Sequence, residues 1–252
     1  MLLIARRLGK VIGACAVLAC SATSASGQHS SVSMRIMIQS KAETKKDKPA
    51  KATSDALDVV VWLKLLDRAG GEAALGDVNH RKLQLVQHNK SFQPHVLVVP
   101  VGSVVAFPNR DPFFHNVFSL FDGKRFDLGL YEAGASNSVH FDRVGVSFLF
   151  CNIHPEMSAV VIAVDTPYFG LSDRAGRITI PNVPEGKYEL HVWYERSSPE
   201  DLKNLTRTVT ISSPTTDLAT IDVPENPSFS PAHKNKYGQD YTPPNTPSYS
   251  HP

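Results

Sequence analysis

Beyond its first 20 positions this 252-residue chain holds no run of the roughly 18 apolar residues that a membrane-spanning helix needs, which excludes a multi-span membrane protein. It also lacks an excess of charge of either sign: 26 Lys+Arg stand against 24 Asp+Glu. Three of the bases, Arg6, Arg7 and Lys10, fall in an acid-free stretch of 27 residues, so the remainder carries 23 bases against 24 acids. A nucleic-acid binder driven by counterion release needs a basic surplus, and none is present. Cysteine is scarce. Cys15 and Cys20 lie near the N-terminus and only Cys151 lies beyond it, so a chain trimmed there can form no internal disulfide. A lone thiol either packs as an inert small hydrophobe or binds something. Internal repeats, a glycine-rich phosphate loop, a nucleophile elbow, a paired-acid motif and clusters of His-x-His pairs are all missing, and with them the usual signatures of an enzyme. Hydrophobic residues at 42% and charged residues at 20% are ordinary globular usage and exclude wholesale disorder.

What is present begins with a targeting signal. Arg6, Arg7 and Lys10 precede an apolar run at 11–20 and small polar residues at 21–27, the pattern of a secretory signal peptide. Cleavage is expected after Gly27, with Ala25 and Gly27 as the small residues of the site. The expected product is periplasmic or secreted, with no transmembrane helix after signal removal. Val17-Leu18-Ala19-Cys20 imperfectly matches a lipoprotein box, so lipidation at Cys20 is the alternative.

The rest reads as strands. Residues 32–38 alternate, 41–55 form a basic, proline-broken loop, and 57–66 are β-branched and aromatic. From 82 onward, strand-like runs at 82–87, 94–100, 103–107, 114–120, 138–141, 146–151 and 157–165 are separated by turn residues, with Asp122-Gly123 as a hairpin signal. Strands at 177–180, 188–194, 206–211 and 218–223 follow. This pattern, without a convincing helix, predicts an all-β chain of sandwich type. Beyond 224 the chain is dense in proline, serine, asparagine and tyrosine, and residues 224–252 are expected to be disordered.

The chemistry concentrates in Cys151-Asn152-Ile153-His154-Pro155-Glu156-Met157, a turn between two strands. Thiolate, imidazole and thioether are soft to intermediate donors that suit copper in both oxidation states far better than calcium or magnesium, while zinc would want more cysteine, histidine or carboxylate. The loop lacks one ligand, and His115, at the start of a strand entered through a Pro- and Asn-bearing turn, fits that place. Two histidines and one thiolate make a trigonal set, with Met157 as the weak axial contact of an electron-transfer copper site. Phe113, Phe114 and Pro155 flank these ligands, either as core packing or as an apolar rim where a redox partner docks. His80, His88, His95, His140 and His191 are read as surface or hydrogen-bonded residues.

The upstream His115-Asn116 and the downstream Cys-x-x-His-x-x-Met loop resemble the cupredoxins, most closely the amicyanin and plastocyanin group, over residues 82–165. Residues 92–109 also look like the early strands of that family, and the short His-to-Met spacing is similar to its amicyanin-like branch. The resemblance implies a Greek-key cupredoxin sandwich holding one type 1 copper ion through His115, Cys151, His154 and Met157. It further implies that Asn116 ties the two ligand loops together by hydrogen bonds. The unit around Asp173-Arg174-Ala175-Gly176 and Pro184-Glu185-Gly186 resembles prealbumin-like sandwiches of the carboxypeptidase-regulatory type, which places a strand pair before the glycine turn. The expected order is therefore a signal at 1–27, N-terminal strands of this second, small prealbumin-like β-sandwich at 28–77, the copper domain inserted at 78–166, and the remaining strands at 167–223. The expectation for function is an exported one-electron carrier, not an enzyme, serving a redox protein partner. The alternatives are a copper chaperone or storage protein, or a cell-surface carbohydrate-binding module.

Overall fold

The computed structural model describes residues 29–40, 52–53, 56–66, 83–120, 123–212, 214–226, 228–230 and 232–241. The signal peptide with Cys20, most of the basic stretch 41–55, the junction at 77–78 and His80 lie outside the described residues. The described chain is all-β apart from one short helix.

In chain order the strands are β1 (His29–Ser40), β2 (Ala52–Thr53), β3 (Val60–Leu65), β4 (Val86–His88), β5 (Ser91–Gln93), β6 (Val96–Pro100), β7 (Ser103–Pro108), β8 (His115–Ser119), β9 (Phe126–Tyr131), β10 (Ser136–Phe141), β11 (Gly145–Phe150) and β12 (Ser158–Val164). They continue with β13 (Phe169–Leu171), β14 (Arg177–Pro184), β15 (Gly186–Trp193), the helix α1 (Pro199–Leu205), β16 (Arg207–Ile211) and β17 (Thr215–Glu225).

One sandwich faces the sheet β14-β1-β17, with β2 on the β1 edge, against the sheet β13-β3-β15-β16. Alternation drives it: Val32, Met34, Ile36 and Ile38 of β1 point inward to meet Val61, Leu63, Tyr188 and Leu190, while Arg35 and Met37 point out. The strand read at 57–66 pairs directly with the 188–194 strand, as β3 with β15. The strand read at 32–38 lies in the facing sheet, where β1 is antiparallel to β14 and parallel to β17.

The other sandwich carries the five-stranded sheet β6-β12-β11-β8-β9, faced by the β7–β10 pair and the β4–β5 hairpin. Bridges from Gln84 to Ala106 and from Gln87 to Asn109 join the hairpin segment to β7. Its core gathers Leu85, Phe107, Val117, Phe141, Leu149, Cys151, Met157 and Val161. Every residue of β12 after Ser158 is buried, because the strand is covered on both faces. Ala159, Val161 and Ala163 enter this core, whereas Val160, Ile162 and Val164 join Val60, Val96 and Trp193 in an apolar seam between the two sandwiches. Where the chain returns toward the first sandwich, the Thr166 hydroxyl donates to the Leu63 carbonyl at 2.8 Å.

Beyond the short strands β2, β5 and β13, two elements had no counterpart in the sequence pattern. Strand β9 contains Asp127 and Gly129, poor strand formers, yet it pairs with β8 through a register shift between Asn116 and Phe118. Gly129 takes φ +68 there, open to glycine at little cost. Helix α1 starts at Ser198, whose hydroxyl accepts from the Asp201 N–H, followed by Pro199 in the first turn. A third difference concerns the tail: β17 runs to Glu225, and residues 232–241 pack against the sandwich that holds β8 and β11 in place of the expected disorder. Its aromatic and histidine side chains find apolar and hydrogen-bonding partners there, which composition alone does not reveal.

Candidate metal centre

Strands β11 and β12 are antiparallel neighbours, so the seven-residue turn between them folds back on itself. The Cys151 N–H donates to the Met157 carbonyl at 3.2 Å, and the Met157 N–H to the His154 carbonyl at 3.1 Å. These bonds bring Cys151 and Met157, both fully buried, side by side at the end of the core and lift residues 152–156 above it. His115 opens β8, which pairs with β11, and is likewise fully buried. His154 is half-buried, with part of its ring at the surface.

The side chains of His115, Cys151 and His154 converge, their ligand atoms all lying within 4.8 Å of one another. Cys151 Sγ is 3.7 Å from His115 Nδ1 and 3.5 Å from His154 Nδ1, and the imidazole centroids are 4.8 Å apart. Metal bonds of about 2.3 Å to sulfur and 2.0 Å to nitrogen, opened by 120°, separate the two donors by about 3.7 Å. Both sulfur–nitrogen distances therefore already match a trigonal set, and the chemistry of the set, a thiol and two imidazoles beside a thioether, fits copper. Met157 shares the Cys151 core cluster.

The surroundings fix the donors. His115 Nε2 bonds Asp111 Oδ2 at 2.8 Å, which commits Nε2 to carrying the proton and leaves Nδ1 a free donor facing Cys151. Asp111 is nearly fully buried and also accepts from the backbone N–H groups of Asn89 at 2.6 Å and Lys90 at 3.0 Å. Burial alone would raise its pKa, but the Lys90, His115 and Asn89 donors outweigh it and hold the carboxyl below the ordinary value, so it is a carboxylate. Burial pushes the Cys151 thiol up, against N–H groups of Asn116, Ile153 and His154 directed at its sulfur. Those donors stabilise a thiolate once a cation replaces the proton. Burial and the neighbouring His115 push His154 down, favouring its neutral, ligating form.

Asn116 departs from its expected role. Its side chain donates to Asp127 Oδ1 at 2.7 Å and to the Gly129 carbonyl at 2.9 Å, both on β9, and its Oδ1 is buried without a hydrogen-bond partner. The contact from Asn116 toward the cysteine comes from its backbone N–H. The side-chain tie between ligand loops is absent because the β8–β9 shift turns Asn116 toward β9.

Phe113 lies against both imidazoles, with centroids 5.2 Å from His115 and 5.5 Å from His154, and Asn109 Nδ2 holds its carbonyl at 2.8 Å. Phe114 and Ile153, 54% and 43% exposed, and the exposed Pro155 adjoin His115 and His154 in the chain. Of the other histidines, His95 lies on Glu195 at 2.7 Å and His191 on Glu189 at 2.8 Å, whereas His88 stands 3.7 Å from Asp111. Sequence reasoning missed Asp111, whose placement under His115 depends on the turn at 109–114. It also missed His233, Lys236 and Tyr241 of the tail, which adjoin residues 150–152.

No family model and no curated protein matches the chain. Among solved structures, a novel purple cupredoxin from Nitrosopumilus maritimus is 24% identical over 32% of this chain and 99% of its own, with a TM-score of 0.30. A copper-containing nitrite reductase from Thermus scotoductus SA-01 is 24% identical over 34% of this chain and 23% of its own, at 0.33. A Cu(I) amicyanin variant is 18% identical over 41% and 98%, at 0.32. At these scores the likenesses assign no role to any residue. The chain's own geometry gives an all-β protein with a buried Cys–His–His cluster, a methionine beside it, and one imidazole edge open to solvent.

Proposed function

We propose that this chain is an exported one-electron carrier whose single copper ion is held by His115, Cys151 and His154, with Met157 as the weak axial contact. What carries the reading is the placement of two imidazole Nδ1 atoms 3.7 and 3.5 Å from one buried thiol sulfur, with a buried methionine next to it. When bound, copper supplies a one-electron couple. The protein holds donors that neither oxidation state ideally prefers, which keeps rearrangement small. Asp111 keeps the His115 proton on Nε2. The N–H groups around Cys151 stabilise its thiolate, and Phe113 with the sandwich core excludes water. The exposed His154 edge, with Phe114, Ile153 and Pro155 exposed next to the two histidines in the chain, is where a redox protein partner would dock. Export rests on the basic and apolar N-terminus.

The test is optical. Stoichiometric Cu(II) should give an intense visible band from thiolate-to-copper charge transfer, and Cys151→Ser should abolish it. A colourless stoichiometric complex would replace the carrier by a copper chaperone or storage protein.

A further inference from the structure

The C-terminal segment lies on the ligand loop through several independent contacts. Tyr241 donates its hydroxyl proton to the Cys151 carbonyl at 2.7 Å. That hydroxyl has one proton, so the His233 Nδ1–H is shared between the Lys234 carbonyl at 3.2 Å and the phenol oxygen at 3.3 Å. The His233 ring is stacked on Phe150, the residue before the cysteine, at 4.0 Å and 29°. The Lys236 N–H donates to Asn152 Oδ1, the residue after the cysteine, at 3.0 Å.

The same segment also reaches the other ligand strand. Lys236 Nζ pairs with Asp127 Oδ2 at 2.7 Å, and Asp127 Oδ1 accepts from the Asn116 side chain at 2.7 Å. A continuous connection therefore runs from Asn116, beside His115, through Asp127 and Lys236 to Asn152, beside Cys151. It spans the gap that the Asn116 side chain does not cross itself, since its Oδ1 is buried and unpartnered.

We propose that residues 233–241 are a working part of the metal centre: a clasp in which Tyr241 and Lys236 are positioning residues that hold the Cys151–Met157 loop in register with His115. The proposal rests on the copper reading for its purpose, but the clasp acts on the loop with or without metal. With both the carbonyl of Cys151 and the side chain of Asn152 held from outside, the loop opens less often, and the buried thiol reacts only through such openings.

The test uses the full chain and the substitutions Tyr241→Phe, which removes the bond to the Cys151 carbonyl, and Lys236→Met, which removes the Asp127 pair that anchors the Lys236 backbone on Asn152; each removes little volume. In metal-free protein, the rate of Cys151 modification by a neutral aromatic disulfide should rise about fivefold in each variant, in line with the net worth of one hydrogen bond to the closed loop. The thermal midpoint should stay close to that of the parent, and Lys236→Arg should restore slow modification. In Cu(II)-loaded protein, the same variants should lose copper to a chelator about tenfold faster. Modification and release rates within twofold of the parent in both variants would overturn the clasp. So would faster modification that merely follows a fall in global stability, which chemical denaturation measured alongside would reveal. Should the parent form no coloured Cu(II) complex, the copper reading falls, and the metal-free modification rates still decide whether the clasp holds the loop.

Discussion

Asp111 shows how one side chain decides the chemistry of another. It reads as a turn residue in Asp111-Pro112-Phe113-Phe114-His115, but the fold buries it and surrounds it with the Asn89 and Lys90 amides and His115 Nε2. The carboxylate raises the electron density of the imidazole, which favours the more highly charged state of a bound cation. Asp111→Asn should therefore weaken Cu(II) affinity by about 10–100-fold and shift the reduction potential upward, measurable by competition titration and voltammetry. An unchanged potential would show that the carboxylate is only a scaffold for residues 89–90. The convergence of Cys151 and His154 beside Met157 was legible because donor type and spacing along one hairpin turn survive folding unchanged, and His115 because it starts a neighbouring strand. Asp111 was not, because its value lies in a direction that only the turn at 109–114 sets.

At the level of elements, the link between the end of β15 and the entry to β6 is ionic. His95 Nε2 meets Glu195 Oε2 at 2.7 Å, and His95 Nδ1 lies 3.2 Å from the Ser158 carbonyl. The hydrogen bond to Glu195 raises the His95 pKa above 6.5 against the opposing effect of burial, with further help from the Ser158 carbonyl and Asp58. A raised histidine pKa stabilises the folded state fully below the unfolded-state value and loses that contribution as pH rises through the folded-state value. The thermal midpoint of the parent relative to His95→Gln should thus be largest below about pH 6 and shrink on the alkaline side of 6.5. A difference that grew with pH would refute the pairing. The alternating strands β1, β7, β11 and β15 could be read from period two, and β12 from its unbroken apolar run. Strand β9 and the packed tail could not, since Asp127, Gly129 and a polar, proline-rich segment score as loop wherever no partner surface is known. Their order comes from β8 and from the Phe150 face, both distant in sequence.

At the scale of the molecule, two sandwiches meet along the seam of Val60, Val96, Val160, Ile162, Val164 and Trp193. A fragment limited to residues 83–166 would bare this strip to water and should self-associate, visible in sedimentation as species above monomer mass. In the full chain, Ile162→Ala should cost about 2–5 kcal/mol in metal-free denaturation. A smaller loss, with the fragment monomeric, would mean that the sandwiches only touch. Strand β12 joins this interface to the chemistry, since it begins at Ser158, directly after Met157, and presents one face to the ligand-bearing core and the other to the neighbouring sandwich. An ion held by the loop that leads into it would add its binding free energy to whatever that strand braces. The metal-loaded protein should therefore melt as one body, in a single calorimetric transition, with the remote sheets guarded along with those around the metal.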